Sequence, residues 1–111
     1  GPLSAAQAAA ARRLETQAKG RQVTVILDGR RARIAFDADK GSILESARAA
    51  GIPAPFACKG GVCATCRAKV VAGKVEMKAN YALTSAELDQ GYILTCQAVP
   101  VGDGVILDYD G

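Results

Sequence analysis

The sequence predicts an α+β domain: a β-grasp (ubiquitin-like) mixed sheet with one main helix packed across it. Three observations carry this reading. Two alternating segments flank a tight-turn dipeptide at Asp28-Gly29, a capped amphipathic helix follows, and shorter alternating segments with a second capped helix fill the rest. At 111 residues the chain holds one domain with a single modest core, and half of its residues are hydrophobic, as in a folded globular chain.

The elements follow in chain order. Residues 1–20 read as a separate unit, a linker or short docking helix, with a frayed tail as the alternative. Ser4 and Gln7 have capping-box spacing, and Ala6–Gln17 is rich in helix formers. Leu3, Ala6, Ala10, Leu14 and Ala18 make only a weak apolar stripe, and Gly1-Pro2-Leu3 reads as a cloning scar. The domain proper is placed at 21–111. There Val23, Val25 and Leu27 alternate with Gln22, Thr24 and Ile26, and Ala32, Ile34 and Phe36 continue the inner face beyond the Asp28-Gly29 turn. Ser42 and Glu45 give the S-x-x-E start of a helix to about Ala50, with Ile43, Ala47 and Ala50 as its buried stripe. Gly51 and Pro53 stop it. Short strands are expected at Arg67–Val71 and Lys74–Met77, a helix between Thr84, paired with Glu87, and Gly91, and extended segments at Tyr92–Cys96 and Val105–Tyr109.

Composition excludes several function classes. The formal net charge is +3, with no basic stripe interleaved with aromatics, so no nucleic-acid partner is expected. No apolar run reaches membrane-spanning length, and the Ala8–Ala11 tract lacks the basic start and apolar body of a secretory signal. A reduced, cytoplasmic setting follows as the expectation, in which thiolates are free to bind metal. The sequence has no G-x-G-x-x-G after a strand, no phosphate loop and no catalytic triad.

The chemistry lies in four cysteines. Cys58-x4-Cys63-x2-Cys66, with Cys96 far downstream, is the plant-type spacing of a [2Fe–2S] centre. Three ligands on one loop require it to curl around the metals. Gly60 and Gly61 suit that, since glycine tolerates positive φ and lets backbone N–H groups reach sulfur. Thr65, between two of the cysteines, is placed either to hydrogen-bond a sulfur or to bond its own backbone. Phe56 reads as a water shield for the loop or as a core aromatic. Lys59 and Arg67 read as attractors of an acidic partner or as solvated charges. Structural zinc, which more often uses two C-x2-C pairs, and disulfides in an oxidising compartment remain the rival readings. The sequence contains no histidine, which removes Rieske ligation and every His-containing zinc site. Four thiolates with two ferric ions and two sulfides would carry a charge of about −2 and cancel most of the apparent basicity.

These residues also resemble something known. Cys58-Lys-Gly-Gly-Val-Cys63-Ala-Thr-Cys66-Arg-Ala-Lys-Val, Asn80-Tyr-Ala-Leu83 and Leu94-Thr-Cys-Gln97 are similar to the C-terminal [2Fe–2S] ferredoxin domain of bacterial oxygenase reductases. The nearest likeness is to the reductase component of phenylacetyl-CoA epoxidase systems, over about Val23 to Tyr109. The resemblance implies a 2Fe–2S ferredoxin-like fold with the cluster held by Cys58, Cys63, Cys66 and Cys96. It further implies one-electron transfer from a flavin reductase domain, itself fed by NAD(P)H, to a di-iron oxygenase. FAD and NAD(P)H would sit on a separate or missing domain, so no catalysis is expected of this chain alone. A free-standing ferredoxin serving a separate reductase is the first alternative, and a zinc-stabilised β-grasp interaction module the second. The surface lacks the strong acidity of photosynthetic ferredoxins.

Overall fold

The computed structural model describes residues 4–58 and 60–111. Its elements are α1 (Ala5–Ala18), β1 (Gln22–Leu27), β2 (Arg30–Ala35), α2 (Ile43–Ala49), β3 (Arg67–Ala72), β4 (Val75–Met77), α3 (Ser85–Asp89), β5 (Tyr92–Leu94), β6 (Ala98–Pro100) and β7 (Val105–Asp108). Five strands form one sheet in the order β2-β1-β7-β3-β5. β1 and β7 run parallel and the other neighbours antiparallel. β4 and β6 pair as a separate antiparallel ribbon. With α2 laid across the sheet, this is the expected β-grasp arrangement.

Local chemistry explains most of these elements. Asp28 (φ +52°) and Gly29 (φ +74°) both occupy the left-handed region, as a two-residue turn between right-twisted strands requires. The Asp110 carboxylate accepts both of their N–H groups at 2.8 Å and ties the turn to the chain end. The Ser42 hydroxyl accepts the Glu45 N–H at the start of α2, and Thr84 and Glu87 form a reciprocal box at α3. Gly73 (φ +76°) turns β3 into β4 against β7, where a Cβ would stand 2.7 Å from Val105 Cα.

The core lies between α2 and the sheet. Val23, Val25, Ile34 and Phe36 meet Ile43, Leu44 and Ala47, with Val105 and Leu107 closing the layer from β7. Each large side chain buried here contributes about 1.5–3 kcal/mol. In the domain proper, the elements depart from the sequence reading as follows. Ala50 is exposed because α2 ends at Ala49, and Leu44 is buried instead. Leu27 is only half-buried at the hairpin end. The extended segment at Tyr92 stops at Leu94, so Cys96 follows β5 rather than lying in it. β6 was not expected at all.

The first segment is a packed helix. Ser4 caps α1 by the Gln7 box, Ala11 and Ala18 are buried, and Leu14 rests on the core. Lys78, just past β4, pairs with Glu15 at 3.0 Å and donates to the Gly41 carbonyl, pinning α1 to the body. Gly1–Leu3, including the apolar-stripe position Leu3, lie outside the described residues. Among the described residues, no helix is long and apolar enough to cross a membrane.

Candidate metal centre

The cysteine loop starts where α2 stops. Gly51 (φ +89°) follows the C-cap Ala50 and turns the chain, and Pro53 and Pro55 bar further helix. Arg48, on the last turn of α2, donates to the Ala54 carbonyl at 2.7 Å and stacks 4.2 Å over the Phe56 ring. The limb leading to Cys58 is thereby stapled to the helix. Phe56 is 38 % exposed and lies against Arg48, so the core-aromatic reading does not hold.

Beyond Cys58 the loop reverses at Gly61 (φ +79°), whose carbonyl accepts the Tyr81 N–H at 2.8 Å. A Cβ on Gly61 would meet Gln97 Cγ at 3.3 Å and the Ala79 carbonyl oxygen at 3.4 Å. Gly60 is not in the left-handed region, and its contribution is an N–H placed 3.4 Å from Cys58 Sγ. The two glycines therefore serve the loop differently: Gly61 supplies the turn and an N–H toward Cys96, and Gly60 an N–H toward Cys58.

The four sulfurs come together as two pairs. Cys58 and Cys63 stand 3.2 Å apart on the outer side of the loop, with Cys58 exposed. Cys66, immediately before β3, and Cys96, two residues after β5, are both buried and close enough to shift each other's titration. Among the described residues, no three His, Cys, Asp or Glu side chains converge on one point as ligands for a single ion. Two-plus-two sulfur geometry suits a binuclear centre, with two sulfurs per metal, better than a tetrahedral four-sulfur zinc site.

Electrostatics favour thiolate at Cys58 and at Cys66. The Gly60 N–H, followed by the Cys63 thiol, lowers Cys58 to about 7. The Cys96 thiol lowers Cys66 to about 6, against the opposing effect of burial. Cys96 is pushed up by its neighbour Cys66 and by burial. One proton thus leaves the inner pair readily, whereas removing the second would set two negative sulfurs side by side in a buried place. A bound cation removes that obstacle. The Gly61 N–H and the Gln97 amide favour the Cys96 thiolate.

Thr65 faces sulfur, its hydroxyl lying 3.6 Å from Cys63 Sγ. Arg67 is engaged within the fold, paired with Glu87 at 3.0 Å and stacked 4.6 Å over Tyr92. Lys59 lies outside the described residues. Sequence reasoning did not single out Thr95, Gln97 or Tyr109. The one available signal was adjacency, because Thr95 and Gln97 flank Cys96.

Comparison with known proteins agrees with this geometry. The sequence model for the 2Fe-2S iron-sulfur cluster binding domain matches residues 25–101. A component of the 1,2-phenylacetyl-CoA epoxidase of Escherichia coli (strain K12) is 50% identical over 99 residues, which are 89% of this chain and 28% of that protein. Ferredoxin-2 of a Synechococcus species is 39% identical over 82 residues, 74% of this chain and 77% of that protein. The solved ferredoxin reductase in carbazole 1,9a-dioxygenase superposes with a TM-score of 0.61 at 25% identity, covering 79% of this chain and 27% of that one. The chain thus spans little more than a quarter of the epoxidase component and of the dioxygenase reductase.

Proposed function

The chain belongs to the 2Fe-2S iron-sulfur cluster binding domain family, and we propose that it is the one-electron relay of a multicomponent oxygenase. Its donor is a flavin reductase domain fed by NAD(P)H, and its acceptor is a di-iron oxygenase such as phenylacetyl-CoA epoxidase. The cluster, when bound, supplies a one-electron couple between diferric and mixed-valence states, near −400 mV for plant-type centres, about low enough to drive oxygen activation.

The residues of this chain divide the remaining work. Cys58, Cys63, Cys66 and Cys96 are the ligands, in the two pairs their sulfurs form. Gly60 and Gly61 offer N–H groups to the outer and inner sulfurs, and Thr65 lies beside Cys63. The inner pair is sealed from water, while the outer pair stands at the surface where a partner can approach. Residues 21–111 make up this module. Residues 1–20 are the segment that joins it to a donor domain, consistent with α1 packed on the body. The setting is the cytoplasm, where thiols stay reduced.

The pairing of the four sulfurs is the observation that carries this reading. Purified protein should be red-brown and contain about two iron and two acid-labile sulfide per chain. A colourless protein holding one zinc would sink it in favour of an interaction module. The match to Ferredoxin-2, most of whose length the chain covers, favours a second reading, a free-standing carrier. A flavin-binding domain encoded in frame upstream decides for the relay, and its absence from the gene decides for the carrier.

A further inference from the structure

Behind the inner sulfur pair runs a line of hydroxyls. Thr95 is fully buried (0 % exposed), and both its hydroxyl and its N–H donate to the Cys66 carbonyl, at 2.8 Å and 3.1 Å. Its own carbonyl accepts the Leu44 N–H from α2 at 3.0 Å. On the far side, Tyr109, just past β7, lies 2.9 Å away, phenol oxygen to Thr95 Oγ1.

The direction of this line is set by proton counting. A carbonyl carries no proton, so the single hydroxyl proton of Thr95 goes to Cys66. The proton between Tyr109 and Thr95 must then come from the phenol. Both O–H dipoles therefore point their positive ends toward Cys66. With Thr95 buried and Tyr109 half-buried, the aligned hydrogen bonds reinforce each other. Burial also pushes the Tyr109 phenol up to about 12, which keeps its proton in place through the neutral range.

We propose that Tyr109 and Thr95 are positioning residues that act through Cys66 to make the centre easier to reduce. The inference rests on the cluster reading above. Reduction adds one negative charge at the metal–sulfur unit, and dipoles with their positive ends toward a ligand residue stabilise that charge. A purely structural role would hold the end of β5 in place without moving the potential.

The test compares iron content and midpoint potential in the wild-type chain, Tyr109→Phe, Thr95→Val and Thr95→Ser. Tyr109→Phe should keep its iron and, at a fixed applied potential, lower the reduced-to-oxidised ratio by about two- to tenfold. That equals up to about 59 mV for a one-electron couple. Thr95→Val should fall further, and Thr95→Ser, which keeps the hydroxyl, should stay near wild type. An unchanged potential in iron-loaded Tyr109→Phe overturns the proposal, as does an equal shift in Thr95→Ser and Thr95→Val. If Tyr109→Phe loses its iron, the two Thr95 variants decide. Iron loss in both Tyr109→Phe and Thr95→Val also overturns it, because support is then all the relay provides. Wild-type protein without iron and sulfide would instead refute the cluster reading itself.

Discussion

Cys58 and Cys63 stand on an exposed loop shaped by glycine and backbone N–H groups, whereas Cys66 and Cys96 abut the ends of neighbouring strands. The inner pair inherits its position from the sheet. β3 and β5 are in register through Arg67–Leu94 and Ala68–Ile93, and Thr95 closes the gap with two hydrogen bonds to Cys66. The outer pair has no such frame. It depends on the Gly61 reversal, on the Gly60 N–H and on a limb held to α2 by Arg48. The same chemical group is therefore positioned once by long-range pairing and once by local chain geometry. The two halves of the site should fail in different ways.

Serine replacement tests this difference with the largest expected effect. Cys58→Ser and Cys96→Ser should each reduce bound iron to roughly a tenth of wild type or less, since on the proposed ligand set each removes a thiolate. The metal-free proteins should then diverge. Cys96 is 5 % exposed, so a hydroxyl there costs about 1–3 kcal/mol. Exposed Cys58 should change stability by less than about 0.5 kcal/mol. Urea midpoints of the metal-free chains measure this contrast, and equal midpoints would contradict it. Full iron retention in either variant would count against the ligand assignment.

The same division explains what the sequence made legible. Turn chemistry at Asp28-Gly29 and the caps at Ser4, Ser42 and Thr84 are local signals, and each appears where its residues predict; the cysteine spacing is local too. Features that depend on distant partners were hidden. Ala98-Val99-Pro100 has neither the length nor the alternation of a strand, and β6 exists because Val75–Met77 lies beside it. The docking of α1 rests on Lys78 reaching Glu15, 63 positions away. The Tyr109–Thr95 contact joins residues that periodicity treats as unrelated strand positions. Even Gly60 and Gly61, adjacent and chemically identical, part ways only through the fold around them.

That last pair gives a second test, aimed at the loop that carries the outer half. Gly61→Ala forces a side chain into a left-handed conformation, with contacts of 3.3 Å and 3.4 Å to Gln97 and Ala79. The strain should cost about 1–2 kcal/mol. Gly60→Ala meets nothing closer than the Cys58 carbonyl oxygen at 3.8 Å and should cost under about 0.5 kcal/mol. The decay of visible absorbance under mild denaturant should be faster in Gly61→Ala and close to wild type in Gly60→Ala. Identical decay in the two variants would mean that the loop's reversal does not govern retention of the cluster.

The smallest effect is expected at the staple between α2 and the loop. Arg48→Ala removes a hydrogen bond of 2.7 Å to Ala54 and the stacking contact with Phe56. Together these are worth about 1 kcal/mol at a partly exposed site. Arg48→Lys keeps the charge but loses the planar stacking surface, so it should fall between alanine and wild type. Because the staple touches only the limb entering Cys58, its loss should act locally. Amide exchange should speed up at residues 54–58 and stay unchanged at residues 93–96, which the sheet and Thr95 hold independently. Equal acceleration in both segments would show that the two halves of the site are one cooperative unit, and the contrast drawn between them would fall.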